Sequence, residues 1–407
     1  MTHSVSYDTE PPHIMTPPTC PTAGRNQFTA VTTMIYVTML FVIATIPTLI
    51  SPALVGGWRE QYGLSESQLG MLASADLAGL AIGAGAALLW QRRWPWRMVT
   101  IVALIVTCAL NLLCMDLNNF PAFFIVRLLA GTGAGTLIGI YSAFIANAPG
   151  PERFIAATTF VQIATQGAAV ALASRLQLHF GLASVFFCTA AVLLPLVPFV
   201  RLLPFGWPQG VSTETTDRAP AARHPTILLS LMVLAAFIPL DIFMAIYPFL
   251  PEFGHAFAGL SMASSTTLLG MSLFPSAIGP TIAFLLGERV GIGWPILASG
   301  LICAAMLLLL CTGAHSPTLY FFGVSTLQAS WCFLNCYFYG AVIMINNELT
   351  AAATPVAAVS IAFGTTILGV AGERGGLVGL TVVALICVLV SILMVLCCIR
   401  RPRLAII

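Results

Sequence analysis

The stretch PFGWPQGVSTETTDRAPAARH, residues 204–224, divides the sequence into two halves. It is the longest polar segment inside the chain, and Pro204, Gly206, Pro208 and Gly210 disfavour a continuous helix there. Long apolar runs lie on both sides. A helix needs roughly 20 apolar residues to cross a hydrocarbon core, and these runs are long enough. We therefore interpret 204–224 as a linker between two sets of membrane-spanning helices.

The composition excludes a soluble protein. Of 407 residues, 58% are hydrophobic and 7% are charged, whereas a soluble domain has about 25% charged residues. The net charge of +2, without a dense basic patch, argues against nucleic-acid binding. All basic residues are Arg and none is Lys, which favours a GC-rich bacterial genome. The expected environment is the lipid bilayer of a bacterial inner membrane.

The spans can be counted because charged residues are sparse enough to mark most of their boundaries. The uncharged run 290–347 is too long for one helix, and the segment 313–317 breaks it in two. Six helices then precede the linker and six follow it, so the sequence predicts an all-α membrane protein with twelve transmembrane helices in two six-helix bundles related by a pseudo-two-fold repeat. The predicted helices cover 29–54, 67–90, 98–116, 120–147, 153–176, 182–202, 226–250, 262–286, 294–313, 317–346, 351–372 and 376–399.

The segments outside the spans fix the predicted organisation and orientation. The Pro-rich first 27 residues lack the apolar core of a signal peptide and read as a disordered tail. Twelve Arg residues fall on one side of the membrane and three on the other, and the positive-inside rule places the first side, with both termini, in the cytoplasm. The predicted parts are a cytoplasmic tail, an N-terminal bundle, a cytoplasmic linker, a C-terminal bundle and a second cytoplasmic tail, at 1–27, 28–203, 204–224, 225–399 and 400–407.

Two local motifs and the six-linker-six layout resemble the major facilitator superfamily. The fourth helix carries RLLAGTGAG, residues 127–135, an Arg followed by Gly at the fourth position and by further small residues. The loop after the eighth helix, GERVG at 287–291, is similar to the family's cytoplasmic loop motif, with Glu288 in place of Asp. The equivalent loop of the first half, 91–97, keeps its positive charge but lacks the acid and the Gly. The fifth helix lacks the Gly-Pro-rich motif of the drug antiporters.

This resemblance implies a mechanism. Members of the family are secondary transporters, in which two bundles rock about a central site lined by helices that include the fourth and the seventh. We therefore expect Glu288, Arg289 and Arg92 to act in gating, through cytoplasmic contacts that hold the bundles in one state.

Three charged residues lie near the middle of predicted spans, namely Asp76, Arg127 and Asp241. Inserting a charged side chain at the centre of a span costs at least about 2.5–3.5 kcal/mol, so we expect each of these residues to have a structural or functional role. The planar guanidinium of Arg127 matches a carboxylate, which predicts a binding group for an anionic solute beside Gly131 and Gly135. The alternative is a structural Arg paired with an acid, with the glycines serving close helix packing.

The two acids are candidates for proton coupling, because burial disfavours the charged form of a carboxylate and lets it exchange a proton at physiological pH. Asp241 is preferred, since the resemblance places the seventh helix at the cavity, where Asp241 could also contact the solute. Asp76 could be the coupling acid instead, or it could pair with Arg127. A fixed counter-ion role is the alternative for Asp241.

Polar and aromatic stripes supply further candidates for solute contact. Gln162 and Gln166 recur four residues apart in the fifth helix, and Gln328, Trp331 and Asn335 share one face of the tenth. Such faces should contact protein or water rather than lipid, so they either bind the solute or join helices. Prolines at corresponding positions of the first and seventh helices indicate interrupted helices around a midplane site: Pro47, Pro52, Pro239 and Pro248.

Signatures of an enzyme, a metal site or a cofactor site are absent from the sequence. The cysteines lie mostly in apolar runs and read as buried hydrophobes. The sequence thus predicts a secondary active transporter, as a monomer, that moves a small organic solute by proton-coupled alternating access. The solute is predicted to bear a carboxylate and could be aromatic. The alternatives are an efflux antiporter for drugs or metabolites, and a membrane receptor or assembly factor that does not transport.

Overall fold

The computed structural model describes the residues 31–117, 119–145, 151–206, 235–286, 290–291, 293–313, 315–345 and 350–399. Their regular structure is entirely helical. The predicted tails, most of the linker and the loop residues 287–289 lie outside this described part. The predictions made for those segments therefore stay predictions.

Six helices form the N-terminal bundle, and the described part of the second half forms six more. The helices of the first bundle are α1 Val31–Tyr62, α2 Glu66–Trp90, α3 Trp96–Leu113, α4 Phe120–Ile145, α5 Pro151–Phe180 and α6 Leu182–Leu202. Those of the second are α7 Ala235–Phe257, α8 Met262–Leu286, α9 Gly293–Thr312, α10 Pro317–Ile345, α11 at 350–375 and α12 at 377–399. The last two belong to one helical run, Thr350–Ile399, broken at Gly376 with φ 58°.

The twelve-helix, two-bundle fold predicted from the sequence is confirmed. The main boundary error is in α1, which continues to Tyr62 rather than ending at 54. Residues 53–58 are buried in the core, and Gly63 ends the helix in a left-handed conformation with φ 60°. The sequence alone reads this segment as a boundary because Arg59 and Glu60 follow it.

Both α1 and α7 are interrupted near their middles. In α1 the break separates Val31–Leu49 from Ser51–Tyr62. The backbone N–H of Ala53 donates to the carbonyl oxygen of Ile50 instead of to that of Leu49. In α7 a short 3₁₀ turn, Tyr247–Phe249, interrupts the helix. Of the four predicted prolines, Pro52 and Pro248 lie at the breaks, since Pro lacks the N–H that a continuous helix requires. Pro47 and Pro239 lie within regular helix.

Glycines bring α2 and α4 into backbone contact. A Cβ atom on Gly79 would lie 2.8 Å from the backbone nitrogen of Thr132, and one on Gly131 would lie 3.1 Å from the Cα of Asp76. Gly83 and Gly135 extend the same contact along both helices. Any side chain would therefore push these helices apart. This close packing sets Asp76 beside Arg127.

The two bundles touch along two helix pairs related by the pseudo-two-fold repeat. In the α2–α11 pair, a Cβ atom on either Gly70 or Gly369 would lie 3.1 Å from the Cα of the other glycine. In the α5–α8 pair, a Cβ atom on Gly167 or Gly270 would lie 2.8 or 2.9 Å from the carbonyl oxygen of the other. We call the side where α1 meets α2 and α7 meets α8 the far face, and the opposite side the linker face.

Candidate functional site

An ion pair is buried inside the N-terminal bundle between α2 and α4. The Nη2 and Nε atoms of Arg127 donate to the Oδ2 atom of Asp76 over 2.6 and 3.1 Å. Arg127 is only 1% exposed. The pairing follows from the glycine contacts between the two helices, which leave the long Arg side chain no route to solvent. The two mid-membrane charges thus neutralise each other in this conformation.

Neighbouring helices complete the surroundings of the guanidinium. Its Nη1 atom donates to the Oδ1 of Asn111 over 3.1 Å, and the amide of Asn111 is oriented by donating to the backbone of Thr107. Its Cζ atom lies 5.4 Å from the ring centroid of Phe186, within the range of a cation–π contact. Every nitrogen of Arg127 is therefore engaged.

A small cavity of about the size of one water molecule lies beside this pair. Its lining includes Pro47 and Thr48 of α1, Thr107 of α3 and both members of the ion pair. The Oδ1 of Asp76 and the Oγ1 of Thr107 are buried and have no hydrogen-bond partner among the described residues. Buried polar atoms are normally satisfied, so these two atoms mark the polar side of the cavity.

The carboxylate of Asp241 in α7 has a different environment. Asp241 is 2% exposed, its Oδ2 atom has no hydrogen-bond partner, and the described residues form no ion pair with it. The ring contact of Phe237 with Phe338, 4.6 Å between centroids, fixes the antiparallel register of α7 and α10. One helical turn further along α7, Asp241 therefore lies at the height of 331–335. An isolated buried carboxylate is costly when charged, so Asp241 is the least compensated acid of the three that lie in or beside the site.

Polar contacts join the two bundles at mid-membrane. The amide of Gln166 in α5 donates to the hydroxyl of Tyr247 in α7 over 3.0 Å. That hydroxyl donates to the carbonyl oxygen of Leu49, 3.3 Å away, at the break of α1. The interruption of α1 thus supplies an acceptor for the opposite bundle. In the nearby helix α10, the Nε2 of Gln328 is buried without a partner among the described residues.

The structure places the remaining predicted residues as follows. Gln162, Trp331 and Asn335 are half-buried, and Arg92 is exposed in the loop between α2 and α3 at the linker face. Glu288 and Arg289 lie outside the described residues. Of the predicted set, the structure brings Asp76 and Arg127 into direct contact, and it sets Asp241 at the height of Trp331 and Asn335.

Sequence reasoning missed a charge cluster at the far face. The Nη2 of Arg59, at the end of α1, lies 2.5 Å from Glu66 of α2 and 2.6 Å from Glu252 of α7. In the sequence, Arg59 served only to mark the end of the first apolar run, and Glu66 and Glu252 were not singled out. The sequence did hold a weak signal. The C-terminal ends of α1 and α7 and the N-terminal end of α2 face the same side and carry opposite charges, but this does not show which of them meet. Asn111 was likewise missed, since a lone polar residue in α3 has no distinguishing pattern.

Two six-helix bundles with interrupted first and seventh helices, and with buried charges at mid-membrane, define a secondary transporter of the two-bundle, alternating-access class. The model of the Major Facilitator Superfamily matches residues 33–380, and the chain belongs to that family. It is therefore a transporter and not an enzyme. No curated protein matches the sequence closely enough to count as a relative.

Solved transporter structures share the fold at low sequence identity. The nucleoside transporter NupG superposes with a TM-score of 0.66 at 15% identity, covering 90% of this chain and 98% of its own. The peptide transporter POT in complex with sulfate gives 0.71 at 10% identity, covering 91% and 95%. A D-xylose-proton symporter gives 0.69 at 13% identity, covering 88% and 96%. At these identities the likeness extends to the fold alone.

Proposed function

We propose that the protein imports a small organic solute bearing a carboxylate together with protons, by alternating access in a bacterial inner membrane. The observation that carries this proposal is the geometry of the Arg127–Asp76 pair. Asp76 binds the guanidinium through one oxygen only, and its other oxygen has no partner and belongs to a residue that lines a cavity.

The coupling follows from charge balance. A proton on Asp76 neutralises the carboxylate and leaves the Arg127 guanidinium as an unpaired buried charge, which is strongly unfavourable. A carboxylate of the solute can then replace Asp76, since the planar guanidinium can donate two hydrogen bonds to any carboxylate of suitable geometry. The proton and the solute therefore favour each other's binding, which is the requirement for symport.

The rest of the proposed solute site lies between the bundles. Gln166 and Gln328 offer amide groups at mid-membrane, while Trp331 and Asn335 of α10 offer a ring and a further amide near the height of Asp241. Gln162 lies one helical turn from Gln166 on the linker side. An aromatic or otherwise planar solute would stack on Trp331. Asp241 is the second proposed proton site, because it is buried without a cation among the described residues.

A second candidate is import of a neutral polar solute. It is favoured by one observation, namely that Arg127 is 1% exposed and fully paired in this conformation. The amide groups between the bundles would then bind the solute alone, and Arg127 would serve to hold α2, α3 and α4 together. Two of the similar structures are named as transporters of nucleosides and of D-xylose.

The test is uptake into proteoliposomes under an imposed pH gradient, with a panel of carboxylates paired with their amides. We expect gradient-driven uptake of a carboxylate and rejection of its amide. Asp241→Asn and Asp76→Asn should each be tested for loss of gradient-driven accumulation with solute exchange retained, and Asp116→Asn, an exposed loop acid, is the matched control.

The possible outcomes separate the candidates. Equal uptake of acid and amide would establish the neutral-solute candidate and remove Arg127 from solute recognition. Accumulation that is unchanged in both Asp variants would contradict proton coupling at these acids. Solute movement that runs only outward against the proton gradient would indicate an efflux antiporter.

A further inference from the structure

The charge cluster at the far face joins the two bundles through a single guanidinium. Arg59 belongs to the N-terminal bundle, and its Nη2 atom contacts Glu66 of the same bundle and Glu252 of the opposite bundle. The side chains are 33%, 26% and 10% exposed, respectively. The cluster is therefore partly withdrawn from water, and Glu252 is the most enclosed of the three.

The two carboxylates differ in what happens to them when the bundles separate. Only a short turn, residues 63–65, lies between α1 and α2, so Glu66 stays beside Arg59 in every arrangement of the bundles. Glu252 is carried by α7 and leaves Arg59 when the far face opens. The contact with Glu252 thus exists only in the closed arrangement, whereas the contact with Glu66 is available in both.

We propose that Arg59 is the latch of the far face: it binds Glu66 and Glu252 together when this face is closed, and it keeps Glu66 alone when the face is open. Glu252 stabilises the closed arrangement. Glu66 stabilises the open one, because it keeps the guanidinium paired after Glu252 has left. Without Glu66, opening would leave Arg59 without either of the two ion-pair partners that it has among the described residues.

Local structure keeps Glu66 suited to this role. It lies in the first turn of α2, where the helix dipole favours a negative charge, and the turn is fixed by a capping box in which Ser65 and Gln68 bond each other's backbone N–H groups. The same residue packs against α11, since a Cβ atom on Gly369 would lie 2.6 Å from the carbonyl oxygen of Glu66. The latch therefore lies where the α1–α7 and α2–α11 contacts meet.

The test compares Glu252→Gln with Glu66→Gln by pulsed EPR in lipid nanodiscs, with spin labels at the exposed positions Gln61 and Ala256 on α1 and α7. Glu252→Gln should raise the ratio of open to closed far face, and Glu66→Gln should lower it. Each shift should be roughly two- to fivefold, which corresponds to the upper part of the range for partly exposed ion pairs. The ratio of open to closed far face in the double variant should lie between the ratios of the two single variants.

The matched control is Glu60→Gln, an exposed acid adjacent to Arg59 on the same helix, which should leave the ratio unchanged. Shifts in the same direction for the two single variants, or shifts no larger than that of the control, would overturn the proposal. The distances are recorded without any solute or pH gradient. A failure of the latch is therefore distinguishable from a failure of the proposed solute and coupling.

Discussion

At the residue scale, the arrangement around Asp76 is asymmetric. One carboxylate oxygen accepts both hydrogen bonds from Arg127, and the other has no partner among the described residues. A buried ion pair of this kind contributes little net stability as a pair, but removing one partner is costly because the other remains as an unpaired charge. Neither member of the pair can therefore be removed alone without a large loss of stability.

This arrangement predicts a non-additive pair of substitutions. Asp76→Asn should lower the free energy of unfolding by about 3–5 kcal/mol, because the Arg127 guanidinium loses its counter-ion. Adding Arg127→Gln to this variant should recover much of the lost free energy of unfolding, since no buried charge then remains at the pair. Thermal unfolding in detergent measures both variants, with Asp116→Asn as the control. A double variant less stable than Asp76→Asn would refute this account of the pair.

At the element scale, the contact of α2 with α4 depends on glycine rather than on matching side chains. The backbones approach so closely at Gly79, Gly83, Gly131 and Gly135 that a methyl group has no space. Apolar side chains gain nothing by leaving lipid for a helix interface, so membrane helices associate through such close packing. The glycines Gly131 and Gly135, which belong to the α4 motif that resembles the family's, therefore serve helix contact.

Two glycines of α2 provide a matched test. A Cβ atom on Gly83 would lie 2.7 Å from the backbone nitrogen of Thr136, whereas one on Gly85 meets nothing within 4 Å. Gly83→Ala should lower the stability by about 1–3 kcal/mol through overpacking. Gly85→Ala should leave it unchanged or raise it by roughly 0.5–1 kcal/mol through helix propensity. Equal thermal stability of the two variants would contradict the packing described for α2 and α4.

At the scale of the whole molecule, the two bundles meet through glycine pairs on α2–α11 and α5–α8 and through polar links from Arg59 to Glu252 and from Gln166 to Tyr247. At the glycine pairs the backbones approach directly, and each polar link is made by single side-chain contacts. Buried apolar side chains from both bundles pack around these contacts in one continuous core, which includes Trp58 of α1 and Phe249 of α7.

The interbundle glycines predict how the proposed rocking motion can be biased. Gly369→Ala places a Cβ atom 3.1 Å from the Cα of Gly70 and should therefore disfavour the arrangement with a closed far face. Gly375→Ala, on the same helix but in open space, is the control. Spin-label distances between Gln61 and Ala256 should lengthen in the first variant and stay unchanged in the second. Unchanged distances in both would show that the α2–α11 contact does not set the closed state.

The sequence by itself determined the number of helices and the division into two halves, and it indicated that α1 and α7 are interrupted. These properties are local, since the length of an apolar run sets whether a helix spans the bilayer and a proline removes one specific hydrogen bond. The same local reasoning singled out Asp76, Arg127 and Asp241, because a charge inside an apolar run is conspicuous wherever it later packs.

Only the tertiary structure decided which of these groups meet. Asp76 and Arg127 are 51 residues apart, and Arg59 and Glu252 are 193 residues apart. Each pair forms because two helices approach at a particular register, set by glycines for α2 and α4 and by the docking of the bundles for α1 and α7. A single sequence carries no signal for that register, since any of several helix faces could meet in lipid, where apolar surfaces are equivalent.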